Sequence, residues 1–139
     1  MSELERFSVS MEASLLKAFD DLIARKGYTN RSEAVRDVLR DYLVQHEWQE
    51  EDREVVGAVA LVYDHHIREL THALIELQHH AEADVICSTH VHLDEHHCLE
   101  VIVLRGRPGN VRKVADRLIG TRGVKHGRLM TTTTGQGLH

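Results

Sequence analysis

His90 and His92 stand one residue apart, and Cys98 follows six positions later. On a strand, residues two apart share a face. The two imidazoles then project together, ~7 Å apart along the chain by the strand rise. The intervening stretch "DEHH" (94–97) turns the chain, and hairpin pairing sets Cys98 beside the histidine pair. Two imidazoles and a thiolate on one rigid sheet form a donor set for a transition metal.

A fourth donor is needed to complete a four-coordinate site. His65, His72 and His79 recur every seven residues along a helix whose apolar stripe is Leu70, Leu74 and Leu77. By the ~100° helical step, His79 lies opposite that stripe. An outward ligand reaches a neighbouring copy more easily than its own sheet, which suggests a site shared between subunits. Three imidazoles and one thiolate suit Zn, Ni or Cu, tetrahedral geometry favouring Zn and a square plane favouring Ni(II) or Cu(II). The residues leave that choice open. Cys98 beside histidines also fits a catalytic thiol, although no Asn or Asp is clearly placed to orient a base. The bland alternative is an incidental cross-strand histidine pair. His65 and His72 then read as solvated, and His96, His97, His126 and His139 as turn or surface residues.

The elements that must hold these residues read as α+β. Residues 6–11, "RFSVSM", alternate strictly and predict a half-buried strand with Arg6, Ser8 and Ser10 on its polar side. Two amphipathic helices follow. Gly27 is the stop signal of the first, and Asn30 with Glu33 is the capping-box start of the second. A strand–helix–helix unit of this size has too little core to stand alone, and its strand has two open edges. Pairing two copies makes a two-stranded ribbon of a width that fits the DNA major groove. Residues 1–48 are thus expected to form a ribbon-helix-helix (βαα) domain and residues 49–54 a polar, acidic linker. Residues 55–139 alternate as βαββαβ, a ferredoxin-like, ACT-like domain. The closing "TTTTGQGLH" is expected to fray.

Bulk composition bounds the function. The chain has 139 residues, 42% of them hydrophobic, a net charge of −5, and 12 histidines. No apolar run approaches the ~20 residues of a membrane span. The start "MSELERFSVS" lacks an export pattern, so a cytoplasmic protein is expected. Cys87 and Cys98 are then free thiols or ligands rather than a disulfide. The acidic balance requires any DNA contact to be local. The N-terminus of the second helix, Asn30, Arg31 and Ser32, offers backbone amides and one guanidinium to a phosphate.

Three motifs taken together, "RFSVSM", "GYTNRSEAVRD" and "QHH…HVH…CLEV", resemble the nickel-responsive transcriptional regulators, the NikR family, over about residues 6–130. The resemblance implies a homotetramer, a dimer of dimers, in which four metal domains form the core and a ribbon-helix-helix dimer stands at each end. It implies one square-planar Ni(II) per subunit, held by His90, His92 and Cys98 of one chain and His79 of its neighbour. It places DNA contacts at Arg6, Ser8 and Ser10. Family members often have threonine at the last two, and serine lacks a methyl that can touch thymine. It also implies a second, hard cation between the domains at Glu33 and Asp37, which the residues alone read as a solvated helix face. The implied function is a non-enzymatic, nickel-dependent repressor of uptake genes acting on a palindromic operator in double-stranded DNA. Two other classes fit the same elements: a repressor whose C-terminal domain binds a protein or small-molecule effector, and a metalloenzyme, which would need an open coordination position.

Overall fold

The computed structural model of the chain describes residues 3–139. It contains α1 (Ala13–Arg25), α2 (Arg31–Glu47), β1 (Val55–Asp64), α3 (Arg68–His79), β2 (Asp84–His92), β3 (His97–Gly106), α4 (Pro108–Ile119) and β4 (Val124–Thr132). None of its helices is long and apolar enough to cross a membrane. The chain divides into two compact units, one reaching to Leu43 and including Gly137–His139, the other Val44–Gln136.

The first unit is a helix pair. α1 ends where Gly27 takes a positive φ of 88° and the Tyr28 amide donates to the Ile23 carbonyl, a left-handed stop that glycine adopts without a Cβ clash. α2 begins at a side-chain cap, the Glu33 amide donating to Asn30 Oδ1 at 2.9 Å. Among the described residues of this unit only Ile23 and Ala34 are buried, whereas Phe7 (71%), Val9 (65%), Val38 and Tyr42 (72%) stand exposed. The strand expected at residues 6–11 is not formed: these residues pair with nothing in a single chain. The physical reason is the one the alternation already carried, that a lone strand has no ladder to join.

The second unit is a four-stranded antiparallel sheet of order β2-β3-β1-β4. The βαββαβ order matches expectation. β1 and β3 alternate buried and half-buried residues, so Val55, Val59, Leu61, Tyr63, Cys98, Ile102 and Leu104 line the face under the helices. α4 starts at Pro108, whose fixed φ suits the first helical turn. It packs so closely on β4 that a Cβ on Gly127 would come within 2.7 Å of Ile119. The other face carries Val56, Ala58, Ala60, Val62, Leu99, Val101 and Val103, half-buried within one chain.

Two boundaries differ from expectation. The unit boundary falls inside α2, before the expected linker at 49–54. Val44, Glu47 and Trp48 are buried, and Trp48 Nε1 donates to the Thr132 carbonyl at 2.8 Å within the second unit. The C-terminal tail is also held rather than frayed. Arg40 Nε donates to the His139 carbonyl at 2.7 Å, and Arg53 Nη2 to the Gln136 carbonyl at 3.1 Å.

Candidate metal centre

A bulge decides which way the histidine strand faces. β2 pairs Val85 with Leu104 and Cys87 with Val103, leaving Ile86 as an extra residue. Opposed residues share a face. Without the extra residue the parity would reverse, and His90 and His92 would point to the open side. With it, His90 opposes Glu100 and His92 opposes Cys98, both of them buried residues of the helix-covered face.

On that face the donors meet. Cys98 Sγ lies 3.6 Å from His90 Nδ1, a separation within reach of one ion bound to both at roughly 2.0–2.3 Å. Cys98 is a free thiol. His90 Nε2 lies 3.5 Å from Glu100 Oε2. A proton on Nε2 facing that carboxylate leaves the Nδ1 lone pair toward the sulfur, which sets the ligating tautomer.

Glu100 is itself 3% exposed and surrounded by donors. Tyr63 OH donates to Oε1 at 2.7 Å, Ser88 Oγ donates to Oε2, and Gln78 Nε2 donates to Oε2 at 3.3 Å. Burial, and then this carboxylate, push the Tyr63 hydroxyl well above its ordinary range, so it stays protonated as a donor. Gln78 precedes His79 in the chain, so the network ties the end of α3 to the His90 strand. Sequence reasoning missed Glu100, Tyr63, Ser88 and Gln78. The signal was present, because Glu100 occupies a buried phase of the alternation "CLEVIVL".

The other expected ligands are placed less tightly. The His92 ring packs edge-on against His65 at 4.8 Å between centroids. His65 Nδ1 is buried without a hydrogen-bond partner, and desolvation, then the neighbouring His66 and His92, lower its pKa. His79 is the last residue of α3 and is exposed. Among the described residues, the one group of three donors lying within 4.8 Å of one another is Asp64, His66 and His96, which the spacing did not single out.

The first unit places Arg6, Ser8, Ser10 and Ser32 at the surface. Asn30 is spent on the α2 cap. Arg31 forms a two-point ion pair with Asp20, Nε to Oδ1 at 2.8 Å and Nη2 to Oδ2 at 2.7 Å, and is not a free cation in the single chain. Glu33 and Asp37 share an exposed face of α2. Both Asp37 oxygens are already engaged, one by the Tyr28 hydroxyl and the other by Arg40 at 3.0 Å.

Residues 56–132 match the family described as the NikR C-terminal nickel-binding domain. Residues 5–46 match the ribbon-helix-helix proteins of the CopG family. Candidate nickel-responsive regulators of Geobacter sp. strain M21 and Geobacter sulfurreducens are 54% and 55% identical to this chain, each over the full length of both chains. One from Pyrococcus furiosus is 51% identical over 94% of this chain and 95% of its own. The chain belongs to the NikR family.

NikR proteins are nickel-responsive transcriptional regulators, not enzymes, joining a ribbon-helix-helix DNA-binding domain to a nickel-binding domain. Nickel binding therefore belongs to the βαββαβ unit and DNA binding to the α1–α2 unit. The donor chemistry fits the ion: a buried thiol and an imidazole are already adjacent, and a polar network fixes the imidazole from behind.

Proposed function

We propose that this NikR chain represses nickel-uptake genes as a homotetramer, with one Ni(II) per subunit held by His90, His92 and Cys98 of one chain and His79 of a second. The observation that carries the reading is the His90–Cys98 contact of 3.6 Å on the sheet, with His79 exposed at the end of α3. These four residues would hold the ion, and bound nickel would join donors from two chains.

The chain's own residues do the rest. Glu100 holds the His90 tautomer and, through Gln78, the approach of α3. The apolar residues of the open sheet face and the exposed Phe7, Val9, Val38 and Tyr42 give two separate surfaces for self-association. Two copies of residues 6–11 complete each other's ladder as a ribbon, presenting Arg6, Ser8 and Ser10 to the major groove. Two ribbons on one tetramer engage two half-sites of a palindromic operator, and linkage of this kind raises affinity by roughly 10²–10⁴. The metal shifts the balance only if the DNA-competent state holds it more tightly. Phosphate contact by Arg31 requires release of Asp20. A hard cation at Glu33 and Asp37 likewise requires Arg40 to leave Asp37.

Fluorescence anisotropy of a palindromic operator, titrated with the full-length chain with and without stoichiometric Ni(II), tests the reading. The expected result is affinity at least about tenfold higher with nickel. Equal affinity in both titrations rejects it.

A further inference from the structure

α3 and α4 lie against each other on the sheet, but they leave a gap near the end of α3. Small residues face it, Ala73 on α3 and Ala81 just past the end of that helix. Side chains without bulk cannot fill the space between two helix surfaces. The result is a groove of about 360 Å³ whose walls include Leu77 of α3 and the buried Val114 of α4. Ligand pockets run from roughly 300 to 1,000 Å³ and join apolar walls to a few placed polar groups.

The charged groups of the groove are unevenly spent. Glu76 Oε2 faces His80 Nε2 at 3.5 Å. On α4, Arg112 donates to the Trp48 carbonyl at 3.1 Å and lies over the Trp48 ring, and Lys113 pairs with Glu82 at 3.3 Å. Arg117 is the third cation of α4 and lines the groove. It contributes its carbonyl to the Thr121 hydroxyl at 2.7 Å, and its exposed guanidinium has no ion pair among the described residues.

We propose that the α3–α4 groove binds a small carboxylate carrying an aliphatic chain, with the carboxylate on Arg117 and the chain against Leu77 and Val114, and that this ligand is an effector of nickel binding. A guanidinium presents paired N–H donors that match a carboxylate. The apolar walls take the chain out of water. A cation with the same chain is disfavoured, because its charge would be set beside Arg117. The effector role rests on the reading of His79 as a nickel ligand. His79 lies between Leu77 and His80 in the chain and both of these line the groove, so a seated ligand adds contacts that hold the end of α3. An end already ordered loses less freedom when the metal binds.

Methyl-resolved NMR of the full-length, metal-free chain titrated with hexanoate tests the site. The methyl signals of Leu77 and Val114 should shift and saturate, with a Kd on the order of 1 mM or below. Hexylamine, the same chain with the opposite charge, should bind about tenfold or more weakly than hexanoate. Arg117→Gln should weaken hexanoate by about tenfold or more, as should Ala81→Met, which fills the groove. Arg122→Gln, at an exposed arginine outside the groove, should leave binding unchanged. Absence of saturable shifts at these methyls, the result expected if a second copy of the chain covers the groove, overturns the proposal. Equal binding of hexylamine, or wild-type binding by Arg117→Gln, overturns it too. Competition with a nickel chelator reads the effector role: saturating hexanoate should raise the nickel affinity of the wild-type chain by about fivefold or more. An unchanged or lowered affinity overturns that role. His79→Ala should bind hexanoate as the wild type does. If that variant also binds nickel as the wild type does, the shared nickel site fails and the carboxylate site stands on its own titration.

Discussion

Cys98 is 1% exposed yet within 3.6 Å of an imidazole, a buried thiol beside a donor nitrogen, unlike the exposed Cys87. Cys98→Ala is expected to abolish the thiolate-to-nickel band, read by absorption spectroscopy of the nickel-loaded protein. Glu100 acts one step further back. Glu100→Gln keeps the volume but sets an amide NH2 among the donors from Tyr63, Ser88 and Gln78. Leaving such groups unsatisfied costs about 1–3 kcal/mol, measurable by urea unfolding of the metal-free chain. Loss of support behind a metal-bound histidine typically weakens binding by roughly 10–100-fold, measurable by competition with a nickel chelator. Asp20 gives a pH prediction. Its hydrogen bond to Arg31 holds its carboxyl below the ordinary value of 3.8. The folded state thus gains stability that is present above pH 3.8 and is lost as the pH falls through the lower folded value. Asp20→Asn should flatten the acid limb of a stability–pH curve over that interval.

At the scale of elements, the sequence was legible wherever a periodicity belonged to the chain alone. The βαββαβ order, the α3 stripe, the Gly27 stop and the Asn30 cap all lie where pattern places them. The end of α2 at Glu47 lies within one residue of the expected 46, but the partners that Trp48 and Glu47 find in Thr132 and Arg53 are not announced by the polar composition of residues 45–54. The Ile86 bulge was invisible for a different reason: parity across a ladder depends on the partner strand's register, not on β2 itself. The spacing of His90, His92 and Cys98 was readable from residues, the network behind it only in three dimensions. The 6–11 segment shows the converse, a strand pattern with no strand in one chain. Val38→Asp, on an exposed apolar position of α2, is therefore expected to leave the helices folded but to block pairing of two copies. Sedimentation should then show dissociation of the paired N-terminal units, and operator affinity should fall by about a hundredfold or more as linked half-site binding is lost.

At the scale of the whole molecule, the proposed metal centre requires donors from different copies to close around one ion. His79→Ala and Cys98→Ala chains should each lack a complete nickel site. When the two variants are unfolded together and refolded as mixed assemblies, His79 from the Cys98→Ala chain can meet His90, His92 and Cys98 of the His79→Ala chain. Absorption spectroscopy of the mixture with Ni(II) should then recover a thiolate-to-nickel band that neither variant shows alone, at a fraction of wild-type intensity set by random mixing. A mixture whose spectrum is the sum of the two separate variants would contradict the shared site.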